Sequence, residues 1–360
     1  MNGEASAQAG ATLGAICEQV RAAHADRRPL AIVGGGTRAR FAPAAAGEAL
    51  RVGAHAGIVS YEPSELVITA RAGTPLAEVE EALAARRQML GCEPPRTGTA
   101  STIGGVVASG LSGPARPYRG SVRDFVLGVE LVNGRGEALR FGGQVMKNVA
   151  GYDVARLVTG ACGALGVITE VSLRVLPRPA REATLRWPLA RGDALARMLE
   201  LPRRPWPITA LCWDGELLRL RVAGSAAAVD DAVTRLAPAE IVEHDACWDQ
   251  LRDYAEPRLA ARAGEALWRV AVPPAAPDAP GTAPLLVDWG GGLRWLRGVD
   301  DAAALREHVA ACGGHVTAYD TAAGVAPAAP AAPLRALMQR VKRAFDPHAI
   351  FDAGRPGERT

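Results

Sequence analysis

The sequence predicts an α+β protein of about two domains, and three features of its 360 residues point there. Short β-branched strand segments alternate with amphipathic helical ones, which builds mixed layers. Two glycine-rich blocks interrupt that alternation in the first half. Two Ala/Pro tracts, 273–284 and 326–333, then break up the second half as extended or disordered connectors and set off a last helix.

Apolar residues make up 49% of the chain, so a sizeable core is no difficulty. Its 41 basic and 38 acidic residues are spread along the whole length, which gives no electrostatic case for nucleic acid or an anionic membrane surface. Cys17, Cys92, Cys162, Cys212, Cys247 and Cys312 form no C-x-x-C pair, which argues against a disulfide framework, a zinc site or an iron–sulfur cluster within this chain. The first residues lack a basic region followed by an apolar run, and no apolar stretch approaches a membrane span. A soluble, intracellular globular protein is expected.

The elements are read in chain order. Leu13, Ile16, Val20 and Ala23 recur at spacings of three and four, so 12–27 reads as a helix with Thr12 as its cap. A strand at Leu30–Val33 runs into three glycines, and a short strand follows near Leu50–Val52. "ELVITARAG" is a buried strand, after which Thr74-Pro75 and the early Glu78, Glu80 and Glu81 start a helix ending near Arg86-Arg87. Strands at about 125–132, 137–142 and 166–176 lie in a turn-rich block closed by Pro177 and Pro179. From there "LLRLRVAG" and "SAAAVDDAVTRLA" read as strand and helix of a second α+β domain. Past the second tract, Leu334, Leu337, Met338, Val341 and Phe345 share one helical face, and Asp346-Pro347 stops the helix. The first domain is its expected docking surface.

The triple glycine fits the dinucleotide spacing Gly34-x-Gly36-x-x-Ala39, yet a Rossmann loop needs a helix through the last position. Pro43 denies that helix, and "LRVGAHAGI" lacks the acidic residue expected after the next strand. Anion binding survives without the helix, because consecutive glycines let backbone N–H groups converge. Thr37 and Arg38 add a hydroxyl and a charge. A second block, 94–139, alternates Gly98, Gly104, Gly105, Gly110, Gly113 and Gly120 with Thr97, Thr99, Ser101, Thr102, Ser109 and Ser112. Small residues at that density admit a flat or elongated ligand, and Arg116, Arg119 and Arg123 would counter a diphosphate.

These stretches in this order resemble the FAD-binding domain of the vanillyl-alcohol oxidase / p-cresol methylhydroxylase (PCMH-type) superfamily. The specific matches are "YEPSELVITARAGTPL", "RQMLGCEPP", "SVRDFVLG", "FGGQVMKNVAGYD", "VDWGGGLRWLRG" and the closing "VKRAFDPHAIFDAGRP". Within that superfamily the chain is most similar to the FAD-binding subunits of bacterial glycolate oxidases (glycolate dehydrogenases). The resemblance implies a two-subdomain FAD-binding fold over 1–178, a cap domain over 179–325, a linker at 326–333, and a helix over 334–360 returning to the FAD domain.

It also implies site residues. Gly34, Gly35, Gly36, Thr37 and Arg38 correspond to the pyrophosphate loop. Gly98, Thr99, Ser101, Thr102, Gly104, Gly105, Ser109, Gly110 and Gly120 line the diphosphate and flavin. Gly163, Gly166, Val167 and Ile168 form the last FAD-contacting segment. Some members attach FAD through a histidine where this chain has Thr37, so noncovalent, dissociable FAD is expected. Lys147, Asn148, Tyr152 and Asp153 lie either near the flavin, stabilising its reduced anion, or in a buried hydrogen-bonding corner. With Arg294 and His315, the first three are the catalytic candidates. Asp288, Trp289, Arg294 and Trp295 line either the flavin face or a subunit contact.

The chain departs from catalytic members in lacking their histidine-rich "GDGN" segment, and its six histidines are never at ligand spacing, so no metal is expected. Asp352-Ala353-Gly354 stands where the group has "NPG", which puts that flavin contact in doubt. The leading expectation is thus an FAD subunit of a glycolate-oxidising complex, passing electrons from a small 2-hydroxy acid through flavin. A catalytic FAD subunit and an iron–sulfur subunit are its expected partners. It would be cytoplasmic, reaching the inner face of the membrane only through the complex. Three other readings stand behind it: a stand-alone D-lactate or glycolate dehydrogenase, a flavin-free structural subunit, and, distantly, a Rossmann NAD enzyme.

Overall fold

The computed structural model describes residues 2–38, 47–143, 151–262, 264–319 and 330–351. Helix α1 (Asn2–Asp26) runs through Thr12 instead of being capped there, because the Ala-rich segment before it holds no residue that stops a helix. Its Ile16, Val20 and Ala23 are buried as the spacing predicts. Strands β1 (Leu30–Val33) and β2 (Glu48–Arg51) pair in parallel. After β3 (Ile58–Glu62) and β4 (Val67–Arg71) comes α2 (Leu76–Ala84), which buries Leu76, Val79 and Leu83. The Thr74 hydroxyl does not cap α2; it donates to the Arg71 carbonyl at 2.7 Å and accepts from the Gly57 N–H at 2.9 Å.

The chain continues through β5 (Gln88–Met89), α3 (Ile103–Ser109), α4 (Arg116–Arg119) and α5 (Val122–Phe125). It then forms β6 (Val126–Val132), β7 (Ala138–Gly142), α6 (Val154–Val158), β8 (Val167–Arg174) and β9 (Leu176–Pro177). A five-stranded antiparallel sheet in the order β3-β4-β8-β6-β7 results, and its core gathers Ile68, Leu83, Ile103, Phe125 and Val171.

The second α+β region comprises β10 (Arg181–Pro188), α7 (Arg191–Glu200), β11 (Ile208–Trp213), β12 (Leu217–Gly224), α8 (Ala226–Arg235) and β13 (Glu240–Val242). It goes on through α9 (Cys247–Arg252), β14 (Trp268–Ala271), β15 (Leu286–Asp288), β16 (Leu293–Leu296), α10 (Ala302–Ala311) and β17 (His315–Ala318). Its strands make one antiparallel sheet, β13-β10-β12-β11-β15-β16-β14-β17. Met198 and Val229 bring α7 and α8 onto it, and Leu305 and Val309 bring α10. The first Ala/Pro tract is not a free connector. The Arg294 guanidinium binds Asp278 at 2.8 Å and the Ala276 carbonyl at 2.5 Å, which ties the tract to the sheet.

Two compact units emerge, one of 1–111, 121–177 and 329–360 and one of 112–120 and 178–328. The boundary expected at 178 leaves out one exchange, because 112–120 packs with the second unit. Within that unit Tyr118 joins the cluster of Leu211 and Trp213, and the Trp289 indole N–H reaches the Gly113 carbonyl.

Helix α11 (Ala332–Phe345) starts inside the second tract and belongs to the first unit. Val341 and Phe345 pack on the sheet core, whereas Leu334 and Leu337 stay 52% and 53% exposed, so only the end of the expected apolar face is covered. The residues after the helix do more than stop it. Asp346 is fully buried and accepts from the Ile350 and Phe351 N–H groups at 3.0 and 2.8 Å. Lys342 Nζ donates to Asp346 at 2.7 Å, to the Ala164 carbonyl at 2.7 Å and to the Phe351 carbonyl at 2.6 Å. Ile350 and Phe351 are thereby set among Ile16, Leu30, Leu50 and Val167, and the Ile350 carbonyl takes the first N–H of β1 at 2.7 Å.

Removing one member of a buried ion pair leaves the other charge uncompensated, at about 3–5 kcal/mol. Asp346→Ala is therefore expected to destabilise the fold by that order, read as a lower urea unfolding midpoint, and Asp346→Asn by less. Equal midpoints for Asp346→Ala and the parent protein would show that this cluster does not stabilise the fold.

Candidate cofactor site

The site begins where β1 ends. The Val52 N–H binds the Val33 carbonyl at 2.9 Å, extending the parallel pair by one bond, and the chain then bends through Gly34–Gly36. A Cβ on Gly35 would lie 1.5 Å from the carbonyl oxygen of Ala100, so this approach admits glycine and nothing larger. One residue earlier, a Cβ on Gly34 would meet the Thr102 hydroxyl at 2.9 Å. The two glycine blocks are thus interlocked, backbone against backbone.

Side chains complete the lock. Arg38 Nη1 donates to the Ser101 hydroxyl and Nη2 to the Pro95 carbonyl, each at 2.9 Å. The Thr97 hydroxyl binds that of Thr37 at 2.9 Å. Thr102 caps α3 from an extended backbone and accepts from the Gly105 N–H at 3.2 Å. The Ser101 carbonyl takes the Leu76 N–H at 2.7 Å, which stitches the loop to the start of α2. Arg96 is drawn off to Glu80 at 2.7 Å, and Arg38 is the cation that these loops hold between them.

Three backbone donors of this loop are unspent. The N–H groups of Gly35, Gly36 and Thr37 meet no acceptor among the described residues. Unspent backbone donors in one loop with a guanidinium suit a phosphate or diphosphate. His55, which no motif singles out, is a buried imidazole whose Nδ1 has no partner among the described residues. Burial first, and the neighbouring Arg71 second, holds its pKa below the ordinary imidazole value. It lies in the turn that links Gly53, close to the Gly34 carbonyl, to Gly73.

The last glycine segment runs beside both loops. The Gly160 and Cys162 N–H groups bind the Val107 and Ala108 carbonyls of α3 at 2.9 and 2.8 Å. A Cβ on Gly163 would meet Ile32 of β1 at 3.1 Å. Gly110 closes α3 through its N–H to Val106, and the Ser109 hydroxyl turns back to the same carbonyl. Gly166, Val167 and Ile168 enter β8, and the latter two side chains are given to the cores. Gly104 packs against Ala72, its N–H on that carbonyl at 2.8 Å. Thr99 lies on the loop between Gly98 and Ala100.

Other expected residues go elsewhere. Gly120 closes α4, which falls in the second unit. Tyr152 is 94% exposed rather than in a buried corner, and Asp153 caps α6 at the Arg156 N–H. Lys147, Asn148 and the Asp352-Ala353-Gly354 turn lie outside the described residues. Arg294 is buried and committed to the loop at 274–278. His315 stands on β17 of the second unit. Nothing in the letters marks the Pro95 and Ala100 carbonyls as contacts, because every residue has one. Among the described residues no cluster of His, Cys, Asp and Glu fits a metal ion, and no helix is long and apolar enough to cross a membrane.

Residues 3–142 match the family model described as "FAD binding domain". The chain is 43% identical over 344 residues to glycolate oxidase subunit GlcE of Escherichia coli, covering 95% of this chain and 96% of that one. It is 41% identical over 85 residues to glycolate oxidase subunit GlcD of Bacillus subtilis, 24% of this chain and 18% of that one. It is 30% identical over 138 residues to D-lactate dehydrogenase of Archaeoglobus fulgidus, 38% of this chain and 31% of that one. Among solved structures, an alkyldihydroxyacetonephosphate synthase superposes with a TM-score of 0.66 at 14% identity, covering 93% of this chain and 73% of that one. The fold is accordingly the PCMH-type FAD-binding fold that the motifs imply.

Gly35→Ala is expected to push the Ala100 carbonyl away at a cost of about 1–3 kcal/mol, read as a lower melting temperature. Gly192→Ala is the control: nothing lies within 4 Å of a Cβ in that helix, so stability should hold or rise slightly. Loss of the difference between the two variants would sink the interlock.

Proposed function

The chain belongs to the PCMH-type FAD-binding family that includes the glycolate oxidase subunits, and from that premise we propose what its site does. It is an FAD-dependent oxidoreductase subunit acting on the CH–OH group of a 2-hydroxy acid. The observation that carries the cofactor reading is the interlock of Gly34–Arg38 with residues 95–105, with unspent backbone N–H groups and one guanidinium at the join. Gly34, Gly35, Gly36, Thr37 and Arg38 would hold the FAD diphosphate from one side, and Gly98, Thr99, Ser101 and Thr102 from the other. Bound FAD supplies the two-electron acceptor for converting glycolate to glyoxylate. The protein's own share is to bind and orient that acceptor.

With Thr37 in the position where other members carry a histidine, FAD is held without a covalent bond. The whole-length match to a glycolate oxidase subunit supports assembly with a catalytic FAD subunit, and an iron–sulfur subunit completes the electron path. The complex is cytoplasmic and meets the membrane only through its other members.

Purification of the intact complex with flavin and iron counted tests this reading; about one FAD for each copy of this chain, beyond that of the catalytic subunit, is expected. Acid precipitation should release that flavin into the supernatant, and yellow colour in the pellet would overturn noncovalent binding. Losing charge-assisted hydrogen bonds worth about 1.5–3 kcal/mol, Arg38→Gln should weaken FAD binding roughly 10- to 100-fold. A stoichiometry without flavin on this chain would leave it a structural subunit. Flavin reduction by glycolate or D-lactate in the isolated chain would make it a dehydrogenase in its own right.

A further inference from the structure

The second unit brings together two thiols that lie far apart in the sequence. Cys212 stands on β11, and Cys247 opens α9. Arg186, Arg219 and Cys212 form one row across β10, β12 and β11, each opposite the next in the strand register. Residues opposite one another share a face of the sheet. Ala210, two positions before Cys212 on β11, shares that face too, and both join one apolar cluster with Trp248 and Leu251 of α9. Cys247 packs against the same cluster. The helix therefore lies over this row. Cys212 is buried beneath it, and Cys247 is partly exposed.

Polar contacts pin the start of α9 to the sheet that carries Cys212. Asp245 accepts the Cys247 N–H on Oδ1 at 3.1 Å. Its Oδ2 accepts from Arg186 Nε at 2.8 Å and lies 3.4 Å from Arg219 Nε. The next residue, Trp248, donates its indole N–H to the Thr184 hydroxyl of β10 at 2.8 Å. Cys247 is thus held where it cannot swing away from the row. Its side chain hydrogen-bonds that of Cys212, and the Arg219 guanidinium acts on both sulfurs. The bond to Cys247 first, and burial second, hold the Cys212 thiol well above the ordinary cysteine pKa.

We propose that Cys212 and Cys247 form a site of reversible oxidation, at which a hydroperoxide joins the two sulfurs in a disulfide that ties α9 to β11. A partly exposed thiol beside a guanidinium is where such oxidation begins, whereas a buried, protonated thiol is inert to the oxidant. Cys247 is accordingly attacked first and Cys212 resolves. The Cys247 thiolate takes one oxygen of hydrogen peroxide, the O–O bond breaks, and a sulfenic acid and one water result. The Cys212 sulfur then displaces the hydroxyl from the Cys247 sulfur. An S–S bond forms, and the Cys212 proton leaves with that hydroxyl as a second water. Two thiols lose two electrons, and the peroxide gains them. A small thiol reverses the step by exchange. The site lies wholly within the second unit and does not rest on the flavin reading.

Mild hydrogen peroxide treatment of the full-length chain is the test, read by thiol counting after denaturation and by peptide mapping. Of the six free thiols two should be lost, a peptide joining Cys212 to Cys247 should appear, and dithiothreitol should restore the count. Linking distant segments restricts the unfolded chain, so the melting temperature should rise on oxidation and fall back on reduction. Cys247→Ser should abolish both the linked peptide and the temperature shift. Cys212→Ala should stop the reaction at the sulfenic acid, which dimedone traps on Cys247. A parent chain that yields no such peptide, or links another pair of cysteines, overturns the site whether or not the variants fold. A melting temperature lowered by oxidation also overturns it, because the native packing would then resist the bond. Dimedone on Cys212 in the Cys247→Ser variant overturns the order of attack.

Discussion

Two distant segments of the first unit meet where the Ala100 carbonyl occupies the space a side chain on Gly35 would need. That approach brings Arg38 within reach of Ser101 and Pro95, and Thr37 within reach of Thr97. It also sets Thr102, the cap of α3, against Gly34. A single methyl group would hold the loops apart and break these bonds. The joining of the two loops is therefore a property of backbone proximity more than of any one side chain.

The loop can be placed so closely only because the strand that delivers it is anchored at both ends. At the far end, the Val33 carbonyl is held by Val52. At the near end, the Leu30 N–H is held by the Ile350 carbonyl, which the buried Asp346 and its partner Lys342 position. The C-terminal segment thus supports the strand that delivers the glycine loop. A buried ion pair is a costly device unless fully bonded, and Asp346 is bonded to two backbone N–H groups and one ammonium.

In the second unit the same residue type meets opposite fates on adjacent strands. Arg294 on β16 stands opposite Val270 of β14, and Arg269 of β14 stands opposite Trp295. The side chains of neighbouring residues leave a strand on opposite faces. One guanidinium consequently turns to the Ala/Pro loop and is saturated there, while the other lies over Trp289. Arg294 is the conspicuous arginine in the letters because it sits in the distinctive "DWGGGLRW" motif. That motif fixes Trp289, and the cations it serves come from other segments.

Features that depend on neighbours a few positions away were legible in the letters. The strands Leu30–Val33 and Val67–Arg71 and the helix after Ser225 follow from side-chain spacing and dihedral preference, whereas Pro43 and the helix it is expected to deny lie outside the described residues. The glycine blocks and motifs also identified the family. Which segments meet was settled by long-range packing: Gly35 with Ala100, Arg38 with Pro95, Lys342 with Ala164, and residues 112–120 with the second unit rather than the first. Those contacts run through carbonyls, N–H groups and empty space beside glycines. Every residue type presents the same backbone, so their partners are fixed by the packing of the whole chain and leave no mark in its letters.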